Sequence, residues 1–542
     1  MSRSEISRRW GPSHQHRPPP RSRRRLVVLG AIGLVTVAAA RLDPLVLATA
    51  VVAAGFVSAR LRLPSPTTRV KRVGERLAEA EHPGEAVREH SRRLGGGAYL
   101  GLSPGGSWVA ADPEHAVMVL GPPRSGKTSA VVIPAMLAAP GPAVSTATKP
   151  DVLSATWRAR AEVGQVWLFD PSGEGSSLAP EIRRLSWSPV TAASSWDAAL
   201  LMARAMAACS APGRGTANES HWRERSSALL APLLLAANLG GRPVAELLRW
   251  VLRHDIAPAG LALEDHGQVV AGDVLVGIAK TDERERSSIF SAAAGVLAAY
   301  NADATRRAAT SPNFDPARFV ASTDTIYVTA PAHRQALCAP LVVGLLEQIR
   351  HATYERPTEG SPVFLCLDEL ANIAPIHDLP ALVSEAGGQG LHVLACLQDL
   401  SQARERWGEG AADGLLSLFQ TKLILSGIAD PRTLEAISIG IGEYDRRLVS
   451  HTLGRTRPEK LLPAPGTSSE SVTYQTQRQR TVPPGEIARL PPGQGLLLRG
   501  TEWSLLRLTP WYRTQPWVAV ARGAGRLDSA VACRARAARR GT

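Results

Sequence analysis

Two stretches carry residue types at spacings that can do chemistry. The first is "GPPRSGKT", Gly121 to Thr128, set between the apolar runs Ala116–Leu120 and Ser129–Ala139. A strand, a glycine-rich turn and a helix in that order can wrap a phosphate. Gly121 and Gly126 let the backbone turn so that consecutive N–H groups face a β-phosphate at the positive end of the helix. Pro122, Pro123, Arg124 and Ser125 complete the turn, Lys127 would reach the β- and γ-phosphates, and Thr128 would place its hydroxyl on Mg2+. Lysine is scarce here: the chain has six, at 71, 127, 149, 280, 422 and 460, among 56 arginines. A compact ammonium at Lys127 therefore stands out against the default planar guanidinium.

The second stretch is "SPVFLCLDELANIAPIH", Ser361 to His377, in which an apolar strand ends in Asp368 and Glu369. Acids at a strand end can simply meet solvent. A buried carboxylate, however, needs a cationic partner, and a metal held against phosphates supplies one. Asp368 is then the magnesium carboxylate, and Glu369 orients or deprotonates the hydrolytic water. A nucleoside triphosphate with Mg2+ is the expected ligand pair. Adjacent acids suit hydrolysis better than a kinase, which must keep water from the γ-phosphate. Gln398, at the end of the apolar run in "GLHVLACLQDLSQARERWG", suits a γ-phosphate sensor, with an ordinary strand cap as the alternative. Lys149 and Asp151 follow another strand end, facing either the nucleotide or a plain turn.

The elements that must position these groups read as an α/β fold with a mostly parallel sheet. Residues 111–194 form its first part and 311–520 its second, with 61–110 as linker and start of the soluble region. From 195 to 310 the apolar spacing turns helical, as in "HWRERSSALLAPLLLAANL" and "PVAELLRWVLRH", which indicates an inserted all-α domain. Trp222 and Trp250 read there as core anchors. The stretch Arg446 to Arg480, rich in Ser, Thr, Gln and Arg, reads as a flexible polar segment. "GQGLLLRGTEWSLLRLTPWY" reads as a closing hairpin.

At 542 residues the chain has room for two or three domains. Its five cysteines, Cys209, Cys338, Cys366, Cys396 and Cys533, form no C-x-x-C pair, so neither a zinc knuckle nor a disulfide framework is indicated. The net charge of +14 sits mostly in two tails. Residues 1–25 carry +7 and residues 522–542 carry +5, leaving +2 for the body. Tails of this composition, 1–25 and 521–542, read as disordered. Between the first tail and the body lie two apolar runs, Leu26–Ala40 and Leu45–Ala59, separated by Arg41, Asp43 and Pro44. Each spans roughly 22 Å as helix, against a hydrocarbon core of about 30 Å, a deficit that snorkelling arginines can cover. A transmembrane hairpin over 26–60 with both termini in the cytoplasm is expected. A cleaved signal peptide leaves the second run unexplained, and a single kinked span would bury Arg41 and Asp43.

The order of motifs resembles the TraG/TraD-like coupling ATPases of conjugation and type IV secretion, within the FtsK/HerA-type P-loop superfamily. The resemblance rests on the membrane hairpin, "GPPRSGKT", "WLFDP", the helical insertion, "ERSSIFSAAAGVLAAY", "LCLDELANIAPI", "ACLQDLSQARERWG" and "RTVPPGEIARLPPGQGLLLRG". It implies a RecA-like domain bearing an all-α domain, assembled as a homo-hexameric ring at the cytoplasmic (inner) membrane. It implies DNA as partner, single-stranded with little sequence preference, together with a relaxase or other secreted protein and the type IV secretion channel. Alternatives are a membrane substrate receptor that binds ATP with little turnover and a septal translocase of duplex DNA. One departure stands out: where some relatives carry an arginine about eleven residues before the sensor glutamine, this chain has Gly387, so either another arginine, such as Arg404 or Arg406, takes over or hydrolysis is slow.

Overall fold

The computed structural model describes residues 74–173, 179–210, 219–356, 360–456 and 467–523. The N-terminal tail, the expected membrane hairpin and the C-terminal tail beyond residue 523 lie outside them. Among the described residues no helix is long and apolar enough to cross a membrane.

The strands are β1 (Tyr99–Leu102), β2 (Trp108–Ala110), β3 (Val117–Leu120), β4 (Ala143–Ala147), β5 (Val166–Phe169), β6 (Ile182–Arg184) and β7 (Thr325–Thr329). They continue with β8 (Val363–Leu367), β9 (Leu391–Leu397), β10 (Thr421–Leu425), β11 (Glu443–Thr456), β12 (Thr467–Arg480), β13 (Gln494–Arg499) and β14 (Glu502–Arg507). Twelve of them form one sheet in the order β2-β1-β14-β13-β10-β3-β9-β8-β4-β7-β5-β6. From β10 to β6 every pairing is parallel. Parallel strands covered by helices on both faces need apolar side chains on both sides, which is why β3, β8 and β9 read as unbroken runs and are buried throughout. The remaining strands extend the sheet antiparallel: the expected closing hairpin is β13–β14, and β14 in turn pairs with β1. Strands β1 and β2 fall inside the segment 61–110.

Between β6 and β7 the described elements are all helical, the longest being Trp196–Ser210, Glu219–Leu239 and Glu283–Val296. Asp282 caps the last of these by accepting from the N–H groups of Arg284 and Glu285. Trp250 is buried, as a core anchor should be, whereas Trp222 is half-buried with its ring edge against His221. Cys209, Cys338, Cys366 and Cys396 are buried and form no disulfide.

Two buried side chains tie the sheet to its surroundings. Arg160 is fully buried and donates to Thr325 Oγ1 (2.7 Å), Ala139 O (2.6 Å), Gly141 O (2.8 Å) and Thr323 O (3.0 Å), joining the starts of β4 and β7. His392, on β9, accepts from Ala98 N–H (3.0 Å) through Nε2 and donates to Pro113 O (3.0 Å) through Nδ1. That arrangement requires a neutral ring, and burial pushes its pKa down to about 4. Below pH 6.5 the unfolded chain takes up a proton that the folded chain refuses until about pH 4, so stability falls as pH falls through that window, by about 3 kcal/mol in all. Urea unfolding from pH 7 to pH 4 should show this slope, and His392→Gln should flatten it.

Within the stretch Arg446–Arg480, expected as a flexible polar segment, the described residues are regular strand. Its strands β11 and β12 pair antiparallel from Glu443↔Arg480 to Thr456↔Thr467 as a separate two-stranded ribbon. Pairing puts Val449, Leu453, Val472 and Tyr474 on one face, with Leu453 and Tyr474 each 77% exposed. Neither face enters the core, so the usual alternation signal is faint. Cross-strand pairs such as Val449 with Tyr474 and Ser450 with Thr473 are nevertheless of the kind that favour ladders.

Candidate functional site

Strand β3 delivers the chain to Gly121, whose N–H donates to Leu397 O (3.2 Å) at the end of β9. A Cβ at Gly121 would stand 2.7 Å from Ser125 Oγ and 2.9 Å from Leu425 Cβ, so only glycine lets the loop close this tightly. Gly126 takes φ 100°, a left-handed value open to glycine, and Arg124 also has positive φ, at 67°. The following helix opens with wide, π-type turns over Lys127–Val132, with Ile133 N–H bonded to Thr128 O, before regular turns at Ile133–Ala138. Pro134 cannot donate to the preceding turn, and such widened turns recur at functional sites.

Lys127 is 8% exposed. Its Nζ donates to Gly121 O and to Pro122 O, the latter at 3.2 Å. Ser125 Oγ is buried with no hydrogen-bond partner. Thr128 Oγ1 donates to Asp368 Oδ2 at 2.8 Å, closing a separation of 240 residues. Asp368 is 6% exposed, and Thr146 Oγ1 holds its backbone carbonyl at 3.0 Å. Burial pushes the Asp368 carboxyl above the usual range, opposed by the Thr128 hydrogen bond; the neighbouring Glu369 charge pushes the same way as burial, and Lys127 opposes it. Glu369 is half-buried in a left-handed conformation (φ 59°, ψ 41°), and its Oε2 accepts from Asn372 Nδ2 at 3.1 Å.

Strand β9 lies between β3 and β8. Gln398, half-buried one residue past β9, therefore sits beside the Gly121 turn, and its own N–H is taken by Gln402 Oε1 (2.8 Å). Asp399 caps the helix Leu400–Trp407 by accepting from Ser401 N (2.9 Å). Lys149 and Asp151 follow β4, three places from β3 and beyond both β9 and β8. Lys149 is exposed, and Asp151 opens the helix Asp151–Ala161.

Gly387 admits no side chain: a Cβ there would stand 2.0 Å from Glu114 O. Arg404 is committed to Asp430, which also caps the helix Pro431–Ile441. Arg406 donates to Cys209 O (3.2 Å) at the end of Trp196–Ser210. Thr146 and Asn372 are the site neighbours that the motifs did not single out. Asn372 stands three residues after Glu369, a spacing that one helical turn closes.

Residues 362–492 match a family model described as the TraM recognition site of TraD and TraG. Two curated relatives, both conjugal transfer protein TraG of Escherichia coli, are 25% identical over 325 residues and 22% identical over 324. Each match covers 54% of this chain and 49% of the relative, so the chain spans about half the length of the curated relatives it matches. Among solved structures, the bacterial conjugative coupling protein TrwB in unbound form shares the fold with a TM-score of 0.56 at 19% identity, over 78% of this chain and 91% of that one. TrwB in complex with ADP and Mg2+ gives 0.55 at 19% identity, over 78% and 92%.

Proposed function

We propose, with likeness to the TraG/TraD-like coupling proteins as premise, that this chain is a membrane-anchored ATPase that couples ATP hydrolysis to DNA or nucleoprotein transfer in conjugation or type IV secretion. The observation that carries the reading is the 2.8 Å contact between Thr128 and Asp368. It joins the glycine turn and the paired acids at one point, as a single triphosphate site needs.

The residues present fit Mg2+ and ATP. A buried carboxylate with a raised pKa beside a hydroxyl needs a cation, and the partnerless Ser125 hydroxyl lies within the glycine turn. Thr128 and Asp368 would hold the metal, which when bound neutralises charge on the β- and γ-phosphates. Arg124, Gly126, Lys127 and Thr128 carry the backbone N–H groups that can face the phosphates, since Pro122 and Pro123 have none and the Gly121 N–H is taken by Leu397 O. Lys127 exchanges the Gly121 and Pro122 carbonyls for phosphate oxygens. Glu369 directs the attacking water, and Gln398, one residue past the strand between, registers the γ-phosphate. The complex of TrwB with ADP and Mg2+ supports this pairing by analogy.

On this reading the chain is anchored by 26–60 in the inner membrane with cytoplasmic termini, forms a homo-hexamer, divides at 111–194, 195–310 and 311–520, and has single-stranded DNA and a relaxase among its partners. A family model named for TraM recognition over 362–492 supports a docking role for that segment.

Steady-state ATPase assays with and without single-stranded DNA, at several salt concentrations, test the reading. DNA-stimulated turnover is expected, and Glu369→Gln should lower kcat by about 100-fold or more while nucleotide binding persists. The receptor reading, binding without turnover, is favoured by one observation: the backbone fills the place of an arginine at Gly387.

A further inference from the structure

Glu369 is gripped twice by one neighbour. Its carbonyl accepts from Asn372 N (3.0 Å), and its carboxylate accepts from Asn372 Nδ2 (3.1 Å). The residue so held is in the left-handed region, φ 59°, which a non-glycine residue occupies only when its surroundings impose it. The Asn372 side chain is itself exposed, and it lines a cleft of about 400 Å3 together with Ser210, Gln335 and Arg406. Gln335 Nε2 bonds Thr148 Oγ1 (2.8 Å), just past β4, and Ala330 O (3.4 Å), just past β7. The cleft therefore sits at the carboxyl ends of β4, β7 and β8, where open α/β sheets take their ligands. Among the described residues its charged and polar lining is the Arg406 guanidinium, two carboxamides and a hydroxyl, with no carboxylate. Donors of that kind recognise phosphodiester oxygens.

We propose that Asn372 is a positioning residue whose hydrogen bond restrains Glu369, and that a single-stranded nucleic-acid backbone seated in this cleft takes over the Asn372 amide and frees the carboxylate for the attacking water. The inference rests on the ATPase reading above. While Oε2 accepts from Asn372, the carboxylate is tied to the helical turn that lines the cleft, and that oxygen cannot accept from a water in the same direction. A phosphate oxygen backed by Arg406 competes for the amide, so occupancy of the cleft and release of Glu369 become one equilibrium. A single exchanged hydrogen bond sets the scale at about fivefold in rate.

The test is the ATPase activity of the full chain, with oligothymidylate and, separately, an oligo-aspartate peptide as probes. Asn372→Ala is expected to raise kcat about fivefold without oligothymidylate, to leave KM for ATP unchanged and to abolish further stimulation. Asn372→Leu, which cannot donate and adds no charge beside Glu369, should behave the same way, and Arg406→Ala should raise the oligothymidylate concentration needed for half-maximal stimulation. The inference is overturned if Asn372→Ala lowers or preserves kcat, if the stimulation factor survives the substitution, or if the acidic peptide stimulates and oligothymidylate does not. If the unsubstituted chain shows no turnover above Lys127→Ala, the proposed function falls and takes this inference with it, an outcome distinct from normal turnover with an inert Asn372.

Discussion

Lys127→Ala brings ATP turnover to background while leaving the fold intact. Lys127 is 8% exposed and its ammonium stands against two backbone carbonyls of its own turn, which on the proposed reading it gives up for phosphate oxygens without leaving the turn. Preorganised charge in a water-poor site is worth far more than in bulk water, and its loss should cost at least about 100-fold in kcat. Removing the side chain takes away a cation that favours the Asp368 carboxylate, but the carboxyl keeps its Thr128 hydrogen bond and can take up a proton instead of standing charged and unpaired. The melting temperature should therefore move little. Lys127→Arg should fail almost as badly, since a planar guanidinium does not replace a compact ammonium at the end of the turn. ATPase rates with a parallel thermal melt check both halves, and unchanged turnover would reject the assigned site.

Gly387→Arg should unfold or severely destabilise the chain rather than speed it up. The clash lies at the Cβ, 2.0 Å from the Glu114 carbonyl oxygen and 2.7 Å from its carbon. Both atoms are backbone, so no rotamer change relieves it. A forced contact of this kind is expected to cost more than about 3 kcal/mol, and Gly387→Ala should cost nearly as much because it adds the same atom. Equilibrium denaturation of both variants gives the comparison. A stable Gly387→Arg chain with faster turnover would show that this segment moves freely away from Glu114. Arg404 is an unsuitable substitute, because it already neutralises Asp430. Arg406 reaches the inserted helices and not the glycine turn.

Much of the parallel sheet could be read residue by residue, because strands buried on both faces leave unbroken apolar runs such as Val363–Leu367 and Leu391–Leu397. The ribbon β11–β12 escaped the same reading. With both faces outside the core it lacks the contrast between buried and exposed sides, and its Ser, Thr and Gln content imitates a loop. Gly387 is the reverse case: the residue is visible in sequence, yet its reason is the carbonyl of Glu114, far away along the chain.

What the sequence determined alone is local: the glycine turn with its Lys127 and Thr128, the acids at the end of an apolar strand, and the glutamine at the end of another. These follow from spacing within a few residues, and spacing of that range is set by backbone geometry. Tertiary structure decided that β9 lies between β3 and β8, that Thr128 meets Asp368 across 240 residues, and that Asn372 holds Glu369 at the edge of a cleft. Strand order and close approach depend on how every element packs at once, and no local pattern encodes that.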